Sequence, residues 1–265
     1  MRIITVCLIP VVLLLSVTFA SPHKGSKVEL RIIPDRGGTF LTLPFEEFKK
    51  GNTSVIKKYL EARKNENYTI VIKNKTPDRI GIVIAVDGRN IISGKTSYLR
   101  NNERMYIINP YGSLNLEGWR ADLNTVNRFY FTDEEDSYSV RTFKDSSAMG
   151  VIAAAVYKEK DRPRENYKKR ESKKNTFRAP AASSDTRNSK SLESESAGTG
   201  YGDDTYSPAV RVHFNPERTP IEKILVKYEW HEVLCSKGIL KCGEKKNRLW
   251  DDYGFAPPPP GYVNR

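Results

Sequence analysis

Short runs rich in valine, isoleucine, tyrosine and phenylalanine recur through the first part of the chain, separated by glycine, asparagine, aspartate and proline. A recurrence of roughly 8 to 12 residues is typical of a β-sandwich or barrel. In residues 28–32 and 68–73 apolar and polar side chains alternate, as expected for a strand with one face in a core and one in water. The pattern predicts strands over residues 28–33, 39–43, 68–73, 79–86, 104–108, 113–117, 126–131, 138–142 and 151–157.

Two segments follow a helical pattern instead. In residues 51–67 the apolar side chains Val55, Ile56, Tyr59 and Leu60 recur at helical spacing among lysines, which predicts a short surface helix. Residues 230–237 predict a second short helix, and Gly238 follows at the position where a left-handed residue ends helices.

Further strands are predicted near the end of the chain, over residues 209–214 and 223–228. Two strands cannot form a stable domain alone, so we expect them to join the sheets of the first part. This gives a single domain over residues 21–240, interrupted by an insertion over 158–200. The predicted fold is all-β, an antiparallel, jelly-roll-like β-sandwich with one or two short helices and a long disordered insertion.

The insertion is predicted to be disordered because of its composition. Residues 158–178 contain ten Lys and Arg against four Asp and Glu, with only two aromatic side chains. The serine- and alanine-rich residues 179–197 add no core. Such a segment cannot bury enough apolar surface to offset the entropy of ordering.

The first twenty residues predict a signal peptide. A basic start at Arg2 precedes an apolar run over residues 6–15, and the small residues Thr18 and Ala20 occupy the two positions that a signal peptidase recognises. The alternative is an uncleaved anchor, but Pro10 interrupts the run, which is also short for a span. Cleavage after Ala20 predicts a protein that is secreted, periplasmic or on the cell surface, without a transmembrane span. Residues 241–265 form a proline-rich C-terminal tail.

Several short motifs follow one another between residues 68 and 240. They are Val86-Asp87-Gly88-x-Asn90-x-Ile92-x-Gly94, Gly118-Trp119-Arg120, Tyr138-x-Val140-Arg141-Thr142, Gly150-Val151-Ile152 and Gly198-Thr199-Gly200-x-Gly202. In order and spacing, this set resembles a family of uncharacterised secreted bacterial proteins. Ala153 and Phe143 depart from the family pattern, which has glycine at both positions. The resemblance implies a periplasmic or cell-surface β protein and no catalytic residues.

The physical interpretation of these motifs is structural first. Asp87-Gly88 between apolar runs predicts a type I′ hairpin turn, which needs two residues with positive φ. Gly118 would allow a tight turn beside a Trp119 indole that covers the edge of the core, and Arg120 could stack on the indole or pair with a carboxylate. The alternative is a ligand groove, since aromatic and arginine side chains dominate recognition surfaces. Its lining residues would be Asp87, Asn90, Trp119 and Arg120.

The mature chain would contain two cysteines, Cys235 and Cys242, in a compartment where disulfides persist. We expect them to form a disulfide. His231 lies four residues before Cys235, on the same helical face, so a nucleophilic pair or a zinc site with His213 as a further ligand is the alternative. The spacing matches no strong zinc or protease signature, so we assign no metal, cofactor or catalytic residue.

Composition then narrows the function. The 265 residues carry a formal charge of +12, and with 38% hydrophobic and 29% charged residues part of the chain is expected to pack no core. Only one stretch is apolar enough to enter a bilayer, which excludes a polytopic membrane protein. Half of that charge lies in the insertion, which is expected to be a solvated linker. The alternative is an arm that binds an anionic envelope polymer or lipid, with no specific nucleic acid as partner. The residues that would contact such a partner are Lys168, Lys169, Arg170, Lys173 and Lys174.

The sequence therefore predicts a secreted cell-envelope or surface-associated module of binding or structural type, with no enzymatic activity. The alternative is a cell-envelope hydrolase or zinc-dependent enzyme that uses His231 and Cys235.

Overall fold

The computed structural model describes residues 25–160 and 196–242, which form two β-sheets packed against each other. The predicted signal peptide, residues 161–195 of the insertion and residues 243–265 of the tail lie outside the described residues. The strands are β1 (Val28–Pro34), β2 (Thr42–Lys50), β3 (Thr53–Glu61), β4 (Asn67–Asn74), β5 (Ile80–Val86), β6 (Arg89–Asn90), β7 (Tyr106–Ile108), β8 (Ser113–Leu116), β9 (Gly118–Arg120), β10 (Thr125–Asp133), β11 (Val151–Lys158), β12 (Ala197–Thr199), β13 (Asp204–Tyr206) and β14 (Glu222–Glu229). The helices are α1 (Tyr138–Phe143) and α2 (His231–Ser236), with a 3₁₀ turn over Glu134–Asp136.

The first sheet has the order β1-β4-β10-β12, with β8 paired to β4 and with β9 and β13 paired to β10. The second sheet has the order β2-β3-β14-β11-β5-β6, with β7 paired to β5. Among the described strand pairs, β3 and β14 run parallel and the others run antiparallel. The predicted all-β sandwich is therefore confirmed, with one parallel pair added to the antiparallel arrangement.

Strands from both sides of the insertion share the same sheets. β14 lies between β3 and β11 in the second sheet, and β12 pairs with β10 in the first. The predicted end of the insertion at residue 200 is wrong, because Ala197, Gly198 and Thr199 form a buried strand. Their small side chains suit this position, since a Cβ at Gly198 would lie 2.6 Å from Ser137.

The core forms where the inner faces of the two sheets meet. In β1 the buried side chains Val28, Leu30 and Ile32 alternate with more exposed ones, as the sequence predicts. Tyr68 stacks on Phe131 with ring centroids 4.4 Å apart. Phe131 in turn contacts Tyr228 of the opposite sheet at 5.0 Å, so aromatic packing joins the two layers.

The predicted helix over residues 51–67 is wrong, since β3 occupies residues 53–61. This segment pairs with β2 on one side and with β14 on the other, and these two ladders outweigh its weak helical spacing. The predicted strand over 39–43 is correspondingly displaced, because β2 spans residues 42–50.

The predicted strand over residues 138–142 is also wrong, because α1 forms there. Ser137 caps this helix by accepting a hydrogen bond from the Val140 N–H at 3.3 Å. Lys144 ends it in the left-handed conformation, with φ 58°. In the sequence, Ser137 is a helix-capping signal directly before this segment, and it favours a helix over the strand that the alternating pattern predicted.

No strand forms over residues 209–214 either. Val210 and Val212 are 83% and 52% exposed, so their alternation does not reflect burial. Phe214 instead packs on β5 at Gly81, where a Cβ would lie 2.6 Å from its ring. The short helix at 230–237 is confirmed as α2, and Gly238 follows it with φ 67°.

A buried carboxylate ties the beginning of β1 to the second sheet. Glu222 of β14 is fully buried and accepts hydrogen bonds from the backbone N–H groups of Lys27 and Val28 at 2.8 and 3.1 Å. The Ser26 hydroxyl adds a third at 3.0 Å. Neither helix of the described residues is long and apolar enough to cross a membrane.

Gly118→Ala tests the close approach of β9 to β10. A Cβ at Gly118 would lie 2.0 Å from the Asn127 carbonyl oxygen. Because this oxygen belongs to the backbone of β10, it cannot move aside as the end of a flexible side chain could. We expect the free energy of unfolding to fall by at least about 2 kcal/mol in urea denaturation. Asn115→Ala, at an exposed position of the neighbouring β8, is the control and should change it by less than about 0.5 kcal/mol. Equal stability of the two variants would contradict the tight packing of β9 on β10.

Candidate functional site

The Asp87 carboxylate lies at the centre of a buried polar cluster between the two sheets. Asp87 and Gly88 form the turn between β5 and β6 with φ of 47° and 77°, which confirms the predicted type I′ hairpin. The side chain points inward and is 1% exposed. It accepts hydrogen bonds from the Gly150 N–H at 2.8 Å, the Thr199 N–H at 2.7 Å and the Tyr228 hydroxyl at 2.5 Å.

Thr199 extends this cluster into the first sheet. Its hydroxyl lies 2.7 Å from the Tyr228 oxygen and 2.9 Å from the Tyr68 oxygen, and all three side chains are fully buried. Asp87 and Tyr228 belong to the second sheet, whereas Thr199 and Tyr68 belong to the first. The cluster therefore connects the two layers through their most buried region.

Burial controls the ionisation of this cluster. It raises the pKa of Asp87 to about 6, against the lowering effect of the hydrogen bonds from Tyr228, Thr199 and Gly150. Burial likewise raises the pKa of both Tyr68 and Tyr228 well above its ordinary value, and the nearby Asp87 charge adds to this. At neutral pH the cluster therefore holds one carboxylate and two neutral phenols that donate hydrogen bonds.

The other three residues proposed for a ligand groove, Asn90, Trp119 and Arg120, make their hydrogen bonds outside the Asp87 cluster. The Trp119 indole is 2% exposed and donates to the Gly200 carbonyl at 2.9 Å. Asn90, also 2% exposed, donates to the Arg104 carbonyl at 2.8 Å. Arg120 is partly exposed and donates to the Ser207 carbonyl at 2.6 Å and to the Tyr106 hydroxyl at 3.1 Å.

Three of these four side chains are thus buried and engaged with the protein itself, so they do not line an open groove together. Their arrangement supports the structural interpretation of the motifs. Arg120 lies over the Tyr106 ring and not over the predicted indole. Gly118 allows a close approach between strands where a tight turn was predicted.

An exposed surface with a different composition lies on the outer face of the second sheet. We call it the basic-aromatic face, defined by Phe45, Phe48, Lys57, Tyr59 and Lys227. These residues come from β2, β3 and β14, and most of them surround a concavity of about 250 Å³ whose floor includes Val151 and Leu225.

Aromatic and cationic groups alternate on this face. The Phe45 and Tyr59 rings meet edge to face, with centroids 5.1 Å apart. Lys57 Nζ lies 5.2 Å from the centre of the Phe48 ring and 2.7 Å from Glu46. Phe45 is 57% exposed, far more than an aromatic ring that serves the core.

Sequence reasoning missed the basic-aromatic face because it assigned residues 51–67 to a helix and ended the preceding strand at residue 43. With those boundaries, Phe45, Phe48 and Tyr59 share no surface. The available signal was the run of β-branched residues at Val55 and Ile56, which favours a strand over a helix.

A third group lies where α2 meets β3. Cys235 and Cys242 form the expected disulfide, with Cα atoms 5.5 Å apart. His231 Nε2 lies 3.8 Å from Cys242 Sγ, and its Nδ1 lies 3.1 Å from Glu61 Oε1. Within the described residues, His213 does not lie in this group. The predicted zinc site with His213 as a further ligand is therefore not formed.

The predicted polyanion-binding residues Lys168, Lys169, Arg170, Lys173 and Lys174 lie outside the described residues. Comparison of the chain with protein-family models, with curated proteins and with solved structures gives no match.

Asp87→Asn tests the buried carboxylate. The amide can accept only through one oxygen, and its NH₂ would face a donor, so we expect the free energy of unfolding at pH 4 to fall by about 2–4 kcal/mol. The raised pKa adds a pH dependence. Because Asp87 binds a proton more readily in the folded state, its contribution to stability is fully present below pH 3.8 and is lost as the pH rises through about 6.

The cost of Asp87→Asn should therefore be larger at pH 4 than at pH 7.5, by roughly 2 kcal/mol. Urea denaturation of both proteins across this range measures the difference. Asp203→Asn changes an exposed aspartate and is the control, with a cost below about 0.5 kcal/mol expected at both pH values. A cost for Asp87→Asn that stays constant with pH would contradict the raised pKa.

Tyr228→Phe removes one hydroxyl that contacts both Asp87 and Thr199. We expect a loss of about 1–3 kcal/mol in unfolding free energy. Since a donor to the carboxylate is lost, the pKa of Asp87 should also rise further. Tyr206→Phe, at a tyrosine that is 76% exposed, should leave stability within about 0.5 kcal/mol of wild type. Thermal unfolding of the two variants side by side decides whether the Tyr228 hydroxyl matters.

Proposed function

We propose that this chain is a secreted, cell-envelope or surface-associated module of binding type that holds an anionic polysaccharide on the basic-aromatic face. The observation that carries the proposal is the exposed Phe45 ring beside Tyr59 and two lysines at a concavity. Exposed apolar patches with a polar rim are typical of recognition surfaces. The backbone of this patch is hydrogen-bonded in a sheet, which reduces the entropy lost on binding.

The aromatic rings suit the apolar faces of sugars. Phe45 and Tyr59 are held edge to face, so neither needs to reorganise before contact. Aromatic side chains provide a large contact area at a small cost in conformational entropy, and they dominate binding energies at recognition surfaces. The concavity of about 250 Å³ is large enough to seat part of a sugar unit.

The lysines supply the preference for negative charge. Lys57 contacts Glu46, but both side chains are more than one third exposed, and such a pair contributes little stability. An anionic group on the ligand can therefore replace Glu46 at little cost. Lys227 lies on the same face, but its ammonium donates to the Met149 carbonyl at 2.8 Å and lies 3.5 Å from the buried Glu229. Lys57 is therefore the main cation for the ligand, and Lys227 adds a partly neutralised one.

The edge strand β2 favours recognition by side chains over pairing with another strand. Pro44 lies within β2, and the register with β3 shifts between Pro44 and Glu46. Proline, bulges and charged side chains are devices that prevent edge strands from pairing with other chains. Phe45 and Phe48 are consequently available to a ligand that binds across the face of the sheet.

The shape favours a polymer chain over a bilayer. A membrane surface is contacted best by apolar groups that protrude into it, whereas these rings surround a depression. The basic residues of the insertion, outside the described residues, would add a nonspecific electrostatic attraction to the same class of partner. The partner class is thus an acidic polysaccharide of the cell envelope or surface.

Binding of heparin, as a soluble acidic polysaccharide, tests the proposal by titration calorimetry. We expect Phe45→Ala to weaken binding about tenfold through lost contact area. Lys57→Gln should weaken it about threefold to tenfold at low salt, and this difference should shrink as salt screens the charge. Uncharged dextran should bind more weakly than heparin to the wild-type protein.

Two matched controls keep this test specific. Lys73→Gln removes an exposed lysine from β4 of the other sheet, and Tyr206→Ala removes an exposed aromatic ring from β13. Both should bind as the wild type does. The proposal fails if Phe45→Ala and Lys57→Gln also bind normally while replacement of the five basic insertion residues by glutamine abolishes binding. Stronger binding to anionic lipid vesicles than to heparin would instead make the partner a membrane.

A further inference from the structure

Glu61, His231, Cys235 and Cys242 meet where α2 packs on the end of β3. We propose that, once the Cys235–Cys242 disulfide is reduced, this cluster binds a zinc ion. The ligands are His231 Nε2 and the two cysteine thiolates, and Glu61 orients the imidazole from the far side. This goes beyond the proposed polysaccharide binding, because it adds a metal site that is exclusive with the disulfide.

The ligand spacing fits zinc. His231 and Cys235 lie four residues apart on one face of α2, and the left-handed Gly238 turns the chain so that Cys242 returns to that face. The three ligand atoms all lie within 4.8 Å of one another. Tetrahedral zinc has Zn–N and Zn–S bonds of about 2.0–2.1 and 2.3 Å, so its N and S ligands are roughly 3.6 Å apart. The observed separation of His231 Nε2 and Cys242 Sγ is 3.8 Å.

The second nitrogen of the imidazole already has the partner that zinc sites use. A histidine that ligates zinc usually gives its other ring N–H to a carboxylate, which fixes its tautomer and orientation. Here Glu61 Oε1 lies 3.1 Å from His231 Nδ1, which leaves Nε2 to face the sulfur atoms. Glu61 ends β3 in register with Glu229 of β14, so its backbone is fixed by the sheet.

The surroundings of α2 hold the cluster in place without blocking it. Leu234 anchors the helix in the protein with no exposed surface, while the His231 side chain is 46% exposed. Cys242 is exposed, so solvent and small thiols can reach the disulfide. Three protein ligands leave a fourth position on zinc for water.

The redox step balances with an external thiol as reductant. Two equivalents of a small thiol convert the Cys235–Cys242 disulfide to two cysteine thiols and are themselves oxidised to one small-molecule disulfide. Zinc binding then displaces one proton from each cysteine thiol to solvent, because the thiolate is the metal ligand. The same sulfur atoms cannot form the disulfide and ligate zinc at once, so the two states exclude each other.

Zinc affinity of the full chain, with Cys7→Ser so that only two cysteines remain, tests this inference. We expect the protein reduced by a phosphine to take up one equivalent of Zn²⁺ in competition with a chromophoric chelator, and the oxidised protein to take up none. Co²⁺ in place of zinc should give thiolate-to-metal charge-transfer absorption. His231→Gln should weaken zinc binding at least about 100-fold, and Glu61→Gln about 10- to 100-fold.

Matched controls separate this site from nonspecific binding. Glu232→Gln replaces the acid next to His231, and His213→Gln replaces a histidine outside the cluster; both should bind zinc as the parent does. Circular dichroism checks that every variant folds. Zinc uptake that is equal in oxidised and reduced protein, or unchanged by His231→Gln, overturns the proposal. Loss with His231→Gln but none with Glu61→Gln overturns the orienting role of Glu61.

Discussion

The structure depends on the hydrogen bonds that converge on one buried side chain, the carboxyl group of Asp87. The Asp87 carboxylate lies between the two sheets, and taking such a group out of water is costly unless its oxygens accept enough hydrogen bonds. Here the donors are two backbone N–H groups and the hydroxyl of Tyr228. They come from segments 63, 112 and 141 residues away in sequence. The carboxyl oxygens of Asp87 therefore have all three donors only when both flanks of the insertion have reached their native positions.

Four of the sequence motifs have residues in or next to this buried cluster. Asp87, Gly150 and Thr199 belong to three of them, and they meet in one hydrogen-bonded cluster. Trp119, from a fourth, donates to the carbonyl of Gly200, directly after Thr199. Because these motif residues are buried and bonded to other parts of the protein, they do not identify a ligand. The proposed binding surface is accordingly built by β2, β3 and β14, and its β2 and β3 residues precede Val86, where the first of these motifs begins.

The sequence predicted those parts of the fold that local rules control. The Asp87-Gly88 turn follows from the demand for positive φ, and Gly238 ends α2 for a related reason. The predictions from sequence failed where pairing between distant strands determines the secondary structure. The segment around Val55 and Ile56 becomes a strand because β2 and β14 flank it, and β14 comes more than 160 residues later. Likewise, no local signal pairs Asp87 with Thr199, so a buried cluster could be mistaken for a groove.

β3 connects the proposed binding surface to the cysteine cluster. Tyr59 and Glu61 are two residues apart on this strand and point to the same face, as do Lys227 and Glu229 beside them on β14. Lys237, just after α2, contacts the buried Glu229 at 2.6 Å, so α2 covers the end of the face that holds Phe45 and Tyr59. A change of bonding at Cys235 and Cys242 therefore acts on the chain next to the ligand. If it alters affinity there, the ligand must alter the stability of the disulfide or metal state by the same free energy, because coupling between two sites is reciprocal.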